Sequence, residues 1–188
     1  MQGDIKNIIL DTAQELIQRR GMNAMSYNDI SKEVGISKAS IHHHFPSKEE
    51  LINSLLIRFR KEFSAATAEI LTATIKPSTK LKRFMALFEC TLAEDKACLC
   101  GMLSAELFSL NDSTIKFVTA FLNDCQKTII EILQEGEKDN SFIIKGNIGP
   151  LSDLFLATIE GGIFMSRVEG GPERFSKLLR QLEKTISP

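Results

Sequence analysis

Residues 26–51 decide the fold, and they read Ser26-Tyr-Asn-Asp-Ile-Ser-Lys-Glu-Val-Gly35-Ile-Ser-Lys-Ala-Ser-Ile-His-His-His-Phe45-Pro-Ser-Lys-Glu-Glu-Leu51. Ser26 with Asp29 three residues later is typical of a capping box at a helix start. Gly35 predicts a tight turn, and Ser37 can cap a further short helix over residues 38–44. A helix, a short turn with glycine and a second helix form the geometry that enters the DNA major groove. This stretch therefore predicts a helix-turn-helix.

The flanking sequence has helical periodicity on both sides. Upstream, apolar residues between 5 and 17 recur at helical spacing, and Gly21 ends that helix. Downstream, Ser47 caps a long fourth helix that is predicted to run from about residue 48 to 75 and to stop before Pro77. Further amphipathic stripes continue to the C-terminus, with a loop predicted over 137–149 and Pro150 in the first turn of the next helix.

Together these patterns predict an all-α chain of about nine helices. The predicted organisation is a three-helix DNA-binding domain over residues 1–47 and a larger helical domain for ligand sensing and dimerisation over residues 48–188. The long helix from about 48 to 75 links the two domains.

The composition is that of an ordinary soluble protein, with 43% hydrophobic and 25% charged residues among 188. The first apolar cluster is too short for a secretory signal, and no run of 18 uncharged apolar residues predicts a membrane span. The expected location is the cytoplasm, with no membrane partner. There the four cysteines, which all lie in the second half, default to thiols.

Charge alone does not indicate a nucleic-acid partner. The net charge is −1, and residues 1–50 carry six Lys or Arg against seven Asp or Glu. A prediction of DNA binding therefore depends on the local geometry of residues 26–51 and not on a bulk basic patch.

Residues 28–51 resemble the helix-turn-helix of the tetracycline-repressor (TetR) family. The resemblance covers residues 5–55 in detail and the remainder only as a pattern of helices. It implies a dimeric regulator, usually a repressor, that leaves a palindromic operator when a small-molecule inducer or a thiol-modifying signal acts on the larger domain. It also implies that a shift of the long fourth helix couples the two domains. The implied partners are double-stranded operator DNA, a second copy of the chain and a small apolar or electrophilic inducer.

The resemblance also implies which residues contact DNA. Ser26 and Tyr27, at the start of the second helix, offer backbone N–H groups and hydroxyls to phosphate. Lys48 is similar to the lysine that anchors a backbone phosphate in this family. The family usually has tyrosine at the position of His42, and histidine would make that phosphate contact shorter and pH-sensitive. The exposed part of the third helix supplies the remaining contacts, through Lys38, Ala39, Ser40, His42 and His43.

Neither the histidines nor the cysteines predict a metal site, and no cofactor is expected. Consecutive residues on a helix point about 100° apart, so the side chains of His42, His43 and His44 do not converge on one ion. Cys98-x-Cys100 lacks a second such pair.

The larger domain is expected to hold an apolar pocket, because the chain has twelve phenylalanines and no tryptophan. A filled core is the alternative for each of these phenylalanines. The candidate ligand-binding residues are apolar with occasional polar ones: Phe63, Phe84, Phe88, Cys98, Met102, Glu106, Phe121, Cys125, Phe164 and Arg167.

Residues 98–106 are similar to a signature in one branch of the family, some of whose members respond to electrophiles or oxidants. Cys98 is predicted to lie at a helix entry, where N–H groups and a neighbouring cation favour a thiolate. Arg167 is the predicted cation. The alternative is that Cys98 and Cys100 are inert small hydrophobic residues.

The last two helices are the predicted dimer interface, because small residues on the first of them allow a close helix crossing. The four helices of two copies would pack around a twofold axis. The predicted interface residues are Leu154, Ala157, Gly161, Gly162, Ser166, Phe175, Leu179 and Leu182. The alternative is that the glycines serve packing within one chain.

Two other functions are open at this stage. A thiol-dependent detoxification enzyme could use Cys98, but all three histidines lie in the third helix, so a Cys–His pair would have to span the two domains. A helical interaction module that does not bind DNA is the other alternative, and salt-dependent DNA binding would distinguish it. The sequence favours a regulator and not an enzyme.

Overall fold

The computed structural model describes residues 2–188, with side chains described from residue 5 onward. Within this range the chain is all-helical, as predicted, with nine α-helices, one 3-10 turn and no strand. The elements are α1 Gln2–Arg20, α2 Tyr27–Val34, α3 Lys38–His44, α4 Lys48–Thr72, α5 Pro77–Ala93, α6 Leu99–Ala105, the 3-10 turn Leu107–Ser109, α7 Asp112–Lys138, α8 Ile148–Val168 and α9 Gly171–Lys184.

Two helix ends differ from the prediction. α4 stops at Thr72, where the Lys80 ammonium donates to the Leu71 carbonyl at 2.8 Å and so satisfies a helix-end acceptor. α7 continues to Lys138, into the predicted loop, and Phe142 folds back so that its ring covers Gly136 and leaves no room there for a side chain. These contacts join residues nine and six positions apart, beyond the three- and four-residue spacing of a helix face, so periodicity alone does not predict these ends.

The chain divides into two compact units by contact. The first unit contains Met1–Glu62 and Leu99–Thr119, and the second contains Phe63–Cys98 and Ala120–Pro188. The first unit therefore includes α6 and the 3-10 turn, a segment that the sequence analysis assigned to the sensing domain.

The first unit is built around the three N-terminal helices. α1 packs on α2 and α6, and α2 packs on α3. Ile9, Ile17, Ile30, Ile41 and Phe45 fill the centre and are at most 1% exposed. Because Ile41 and Phe45 point inward, the opposite face of α3 is turned to solvent.

The second unit is built around α5, α8 and α9, which pack on one another. α8 is the one described helix with the length and composition of a membrane span, and its best 18-residue window has a mean hydropathy of 1.3. One side of α8 carries Phe155, Ile159 and Ile163, which are fully buried in the unit. The apolar content of α8 on that side therefore belongs to the core.

Candidate DNA-reading and effector sites

The helix-turn-helix is built by local caps. The Ser26 side chain accepts from the Asp29 N–H at 3.3 Å, and Asp29 accepts from the Ser26 N–H at 2.9 Å, which is the predicted capping box. The Asp29 carboxylate also accepts from the Ser26 hydroxyl, and this bond together with the one from the Ser26 N–H holds the pKa of Asp29 below its usual value. Gly35 turns the chain with a φ of +75°, a conformation that side chains rarely adopt, and Ser37 caps α3 through the Ser40 N–H at 3.1 Å. These caps fix the direction in which α3 projects.

The outward face of α3 matches the predicted reading surface. Lys38, Ala39, His42 and His43 are exposed, and Ser40 is half-buried. This face combines a cation, a methyl group and imidazole donors and acceptors on a short, rigid element. Such groups contact phosphates and base edges in a major groove.

Tyr27 has a different partner from the predicted phosphate. Its hydroxyl donates to the Phe45 carbonyl at 2.9 Å, and partial burial together with the Glu50 charge raises the pKa of Tyr27 to about 12. Its ring lies 4.8 Å from that of His42, whose Nδ1 is 3.3 Å from the Pro46 carbonyl. Tyr27 therefore braces α2 against the end of α3 through its hydroxyl, and its backbone N–H at the start of α2 is the part suited to an anion.

Lys48 also has partners within the chain. Its Nζ donates to the carbonyls of Met22 and Met25, each at 2.7 Å. Burial lowers the pKa of Lys48, while the nearby Glu106 carboxylate opposes that shift. An ammonium has three N–H donors, so one remains for a phosphate after these two bonds. Lys48 was predicted only to contact DNA, and in the structure it also holds the turn after α1.

Glu106 belongs to the first unit and already has partners there, which corrects its assignment as a ligand-binding residue. Its carboxylate accepts from the Met22 N–H at 2.8 Å and the Asn23 N–H at 3.2 Å, inside the first unit. Glu106 and Lys48 therefore satisfy the N–H and C=O groups of the same turn. Met102, another predicted ligand residue, also belongs to the first unit and is half-buried there.

The predicted aromatic residues of the effector site meet in the second unit. The Phe63 ring lies 4.7 Å from Phe121, 6.2 Å from Phe88 and 6.3 Å from Phe84, measured between ring centroids. Phe84 and Phe88 are 5.5 Å apart, one turn from each other on α5. Cys125 follows Phe121 by one turn on α7, and both are fully buried. We call these five residues the aromatic cluster. Phe164, also predicted there, is half-buried on α8.

Glu160 is a member of this region that the sequence analysis missed. Its carboxylate oxygens are buried, and burial raises the pKa of Glu160 to about 7. The Cys98 thiol comes close enough to oppose part of that shift, but neither oxygen accepts a hydrogen bond of ordinary geometry from a described residue. Burial, together with the negative charge of Glu160, raises the pKa of the Cys125 thiol beyond its usual range. A glutamate on an amphipathic helix is ordinarily expected to face solvent, so the apolar periodicity of α8 did not indicate that Glu160 is buried.

The surroundings of Cys98 differ from those of the predicted reactive thiol. Cys98 does precede α6 directly, as expected, but it is 4% exposed and its charged neighbour is the Glu160 carboxylate. Arg167, the predicted cation, lies 3.8 Å from Asp95. An anion beside a thiol does not favour a thiolate. Cys90, on α5, is the cysteine that is exposed.

The predicted dimer residues separate into two sets. Gly162, Ser166, Phe175, Leu179 and Leu182 are buried within one chain, so they are not available to a second copy and that part of the prediction is wrong. The physical reason is that α9 packs on the Gly162 side of α8, where a side chain would meet Leu178 and Phe175.

The other predicted residues lie on the outward face of α8. Leu154 is 54% exposed, Ala157 is exposed, and a side chain at Gly161 would meet no atom within 4 Å. Met165 and Val168, at 56% and 89% exposure, continue the same face and were missed. We call these five residues the α8 stripe. A contiguous exposed apolar face of this kind is typical of a protein–protein contact.

The chain has a capped helix-turn-helix whose second helix faces outward, and this is joined to a helical unit with an aromatic cluster. These features are those of helix-turn-helix transcriptional regulators. Residues 9–55 match the model of the family described as bacterial regulatory proteins, tetR family. The chain has the same fold as a TetR-family transcriptional regulator from Agrobacterium tumefaciens, with a TM-score of 0.94 and 29% identity over 100% of both chains. Residues 9–55 are therefore similar to the DNA-binding part of this family, and the whole chain has the fold of a TetR-family regulator.

Two further relatives agree with this assignment. A TetR regulator from Legionella pneumophila has 29% identity and a TM-score of 0.85 over 97% of both chains. The HTH-type transcriptional repressor KstR2 of Mycolicibacterium smegmatis is 32% identical over 136 residues, which are 71% of this chain and 65% of KstR2. The match to that curated relative thus spans just under two thirds of its length.

Proposed function

We propose that this chain is a dimeric transcriptional repressor that binds a palindromic operator through α2 and α3 and leaves it when a small molecule binds in the second unit. KstR2, the relative with 32% identity, is a transcriptional repressor. The site of action would be the cytoplasm, where the operator is. The observation that carries the proposal is the outward face of α3, held by caps at both of its neighbouring turns.

Each group on that face has a defined role in the proposal. Lys38 neutralises a phosphate, and Ala39 allows close approach to a thymine methyl. His43 and Ser40 supply hydrogen bonds to base edges, while His42 and the N–H groups at the start of α2 contact the backbone. The unit carries little net charge, so specificity would come from these few contacts and not from general attraction.

Selection from a random DNA library tests base reading. We expect wild-type protein to enrich one palindromic motif, and His43→Ala to relax it at one position per half-site by about 1–3 kcal/mol. Lys61→Ala, which removes an exposed lysine from α4, is the matched control and should return the wild-type motif. An unchanged motif for His43→Ala would remove His43 from base recognition.

The dimer would form through the α8 stripe. Two copies related by a twofold axis would bury the stripe, and a palindromic operator would require their two α3 helices to read half-sites about 34 Å apart, one turn of DNA. Leu154→Asp places a charge in the stripe and should yield monomers by sedimentation. Ile143→Asp, at a residue with the similar exposure of 50% but outside the stripe, is the control and should remain dimeric. A dimeric Leu154→Asp variant would contradict this interface.

The aromatic cluster supports the effector part of the proposal. α4 carries Phe63 of the cluster at one point and Lys48 at its first residue, so one continuous helix joins an effector contact to the reading end. An effector that displaces the Phe63 ring would act on that helix. A small molecule that lowers operator affinity should lose this effect in Phe63→Ala while operator binding without effector is retained.

A further inference from the structure

Glu160 is a buried acid to which the proposed repressor activity assigns no task. It lies on α8 beside Cys98 and Cys125, and Cys125 belongs to the aromatic cluster. A buried carboxylate without a hydrogen-bond donor destabilises a fold unless a partner arrives. The described residues supply a weakly donating thiol at this position and leave both oxygens without a hydrogen bond of ordinary geometry. A hydrogen-bond donor from outside the chain would therefore stabilise the buried carboxylate of Glu160.

We propose that Glu160 is the recognition group of the effector site and that it takes a protonated amine carried on an apolar body. This inference rests on the proposed effector response, because it names the chemical class of that effector. An ammonium N–H would supply both the counter-charge and the hydrogen bond that the carboxylate lacks.

The surroundings suit both parts of such a molecule. The Phe121 ring lies one helical turn from Cys125, and Phe63 packs 4.7 Å from Phe121, so aromatic surface begins next to the carboxylate. Aromatic faces attract cations and bury apolar chains. Arg167, two turns along α8, is 3.8 Å from Asp95. A neutral or anionic effector would leave the Glu160 oxygens without a strong donor.

Thermal unfolding with matched probes tests this inference. 4-Phenylbutylamine, 4-phenylbutanol and 4-phenylbutyltrimethylammonium share one body and differ in charge and in N–H donors. We expect the primary amine to raise the Tm of the wild-type protein more than the alcohol does, with the quaternary cation in between. In Glu160→Gln the amine should lose its advantage. Asp153→Asn, which removes an exposed carboxylate from the same helix, is the control for general cation attraction and should behave as wild type.

The pH dependence is a second readout. Amine binding requires ionised Glu160, and an acid with a pKa of about 7 is ionised tenfold more at pH 8 than at pH 6, so the affinity by calorimetry should rise about tenfold over that range. The titratable groups facing Glu160 are Cys98 and Cys125, and burial keeps the Cys125 thiol protonated throughout.

Three results would overturn the inference: equal stabilisation by amine and alcohol, an amine advantage that persists in Glu160→Gln, or no stabilisation by millimolar amine. Operator binding without effector is measured on the same protein. Its failure would contradict the proposed repressor and not the amine site, whereas normal operator binding with no amine response would contradict only the amine site.

Discussion

Gly161 and Gly162 are adjacent on α8 but face opposite surroundings, and replacing each with alanine gives a matched pair. In a helix interior, Gly→Ala stabilises by about 1 kcal/mol through backbone entropy and helix propensity. At Gly161 an added methyl meets no atom of the same chain within 4 Å, so this gain should appear in full when both variants are made in the monomeric Leu154→Asp background, where the α8 stripe is not covered by a second copy. At Gly162 the methyl would lie 2.5 Å from Leu178 Cδ2 and 3.1 Å from the Phe175 ring.

The cost at Gly162 follows from which neighbour can move. Leu178 is half-buried and can rotate, but Phe175 is fully buried. Overpacking against such a ring costs about 1–3 kcal/mol. We expect Gly162→Ala to be less stable than Gly161→Ala by about 1–3 kcal/mol in urea unfolding followed by circular dichroism, at equal subunit concentration. For a chain of this size that corresponds to a Tm lower by roughly 2–12 °C. A Gly162→Ala variant as stable as Gly161→Ala would refute the packing of α9 on this face, and with it the assignment of the opposite face to the dimer.

Three other perturbations test the reading unit and the buried acid. Lys48→Met should lower the free energy of urea unfolding by about 1–3 kcal/mol because it leaves two carbonyls without a donor. Lys38→Met, the control, should change that free energy by no more than about 0.5 kcal/mol and should reduce the salt slope of operator binding by about one. Equal stability of the two variants would contradict the inward role of Lys48. Glu106→Gln should speed hydrogen exchange at the Met22 and Asn23 amides, since a neutral acceptor binds N–H more weakly than a carboxylate, and unchanged protection by NMR would count against that contact. Burial raises the folded-state pKa of Glu160 to about 7, above its ordinary value of 4.5, so the folded state holds the extra proton between these values. Wild-type stability should therefore fall by roughly 1 kcal/mol from pH 6 to pH 8, whereas Glu160→Gln should show no such loss.

The helix-turn-helix was predictable from sequence because each of its determinants is local. Ser26 and Asp29 cap α2 across three residues, Gly35 makes the turn, and Ser37 caps α3 within another three. The inward face of α3 was predictable too, since Ile41 is its apolar residue at helical spacing from Phe45.

The partners of the polar residues were not predictable, because they depend on contacts far apart in sequence. Glu106 reaches the turn at Met22 from 84 residues away, and Lys48 reaches the same residue from 26 away. From the sequence, a glutamate and a lysine on helices are each expected to lie at the surface in contact with solvent. Only the packed first unit shows that both side chains bind the turn after α1. A single sequence gives no information on such pairings.

The helix α8 was predictable from the sequence, but the face that it turns toward α9 was not. A helix rich in small and apolar residues was correctly identified, but the sequence has no feature that decides whether Gly161 or Gly162 faces α9. The same ambiguity hid Glu160, whose burial depends on how α7 and the chain before α6 pack against α8. Periodicity identifies an amphipathic face only when the other face is clearly polar.

The central claim is sequence-specific DNA binding by a dimer, and a titration of the selected duplex against salt tests it most directly. We expect two chains per duplex and a large loss of affinity when one half-site is scrambled. Because a few Lys and His contacts to phosphate release counterions, log Kd should rise linearly with log salt concentration. Binding that is the same for the intact and scrambled duplexes, or that does not change with salt, would contradict it.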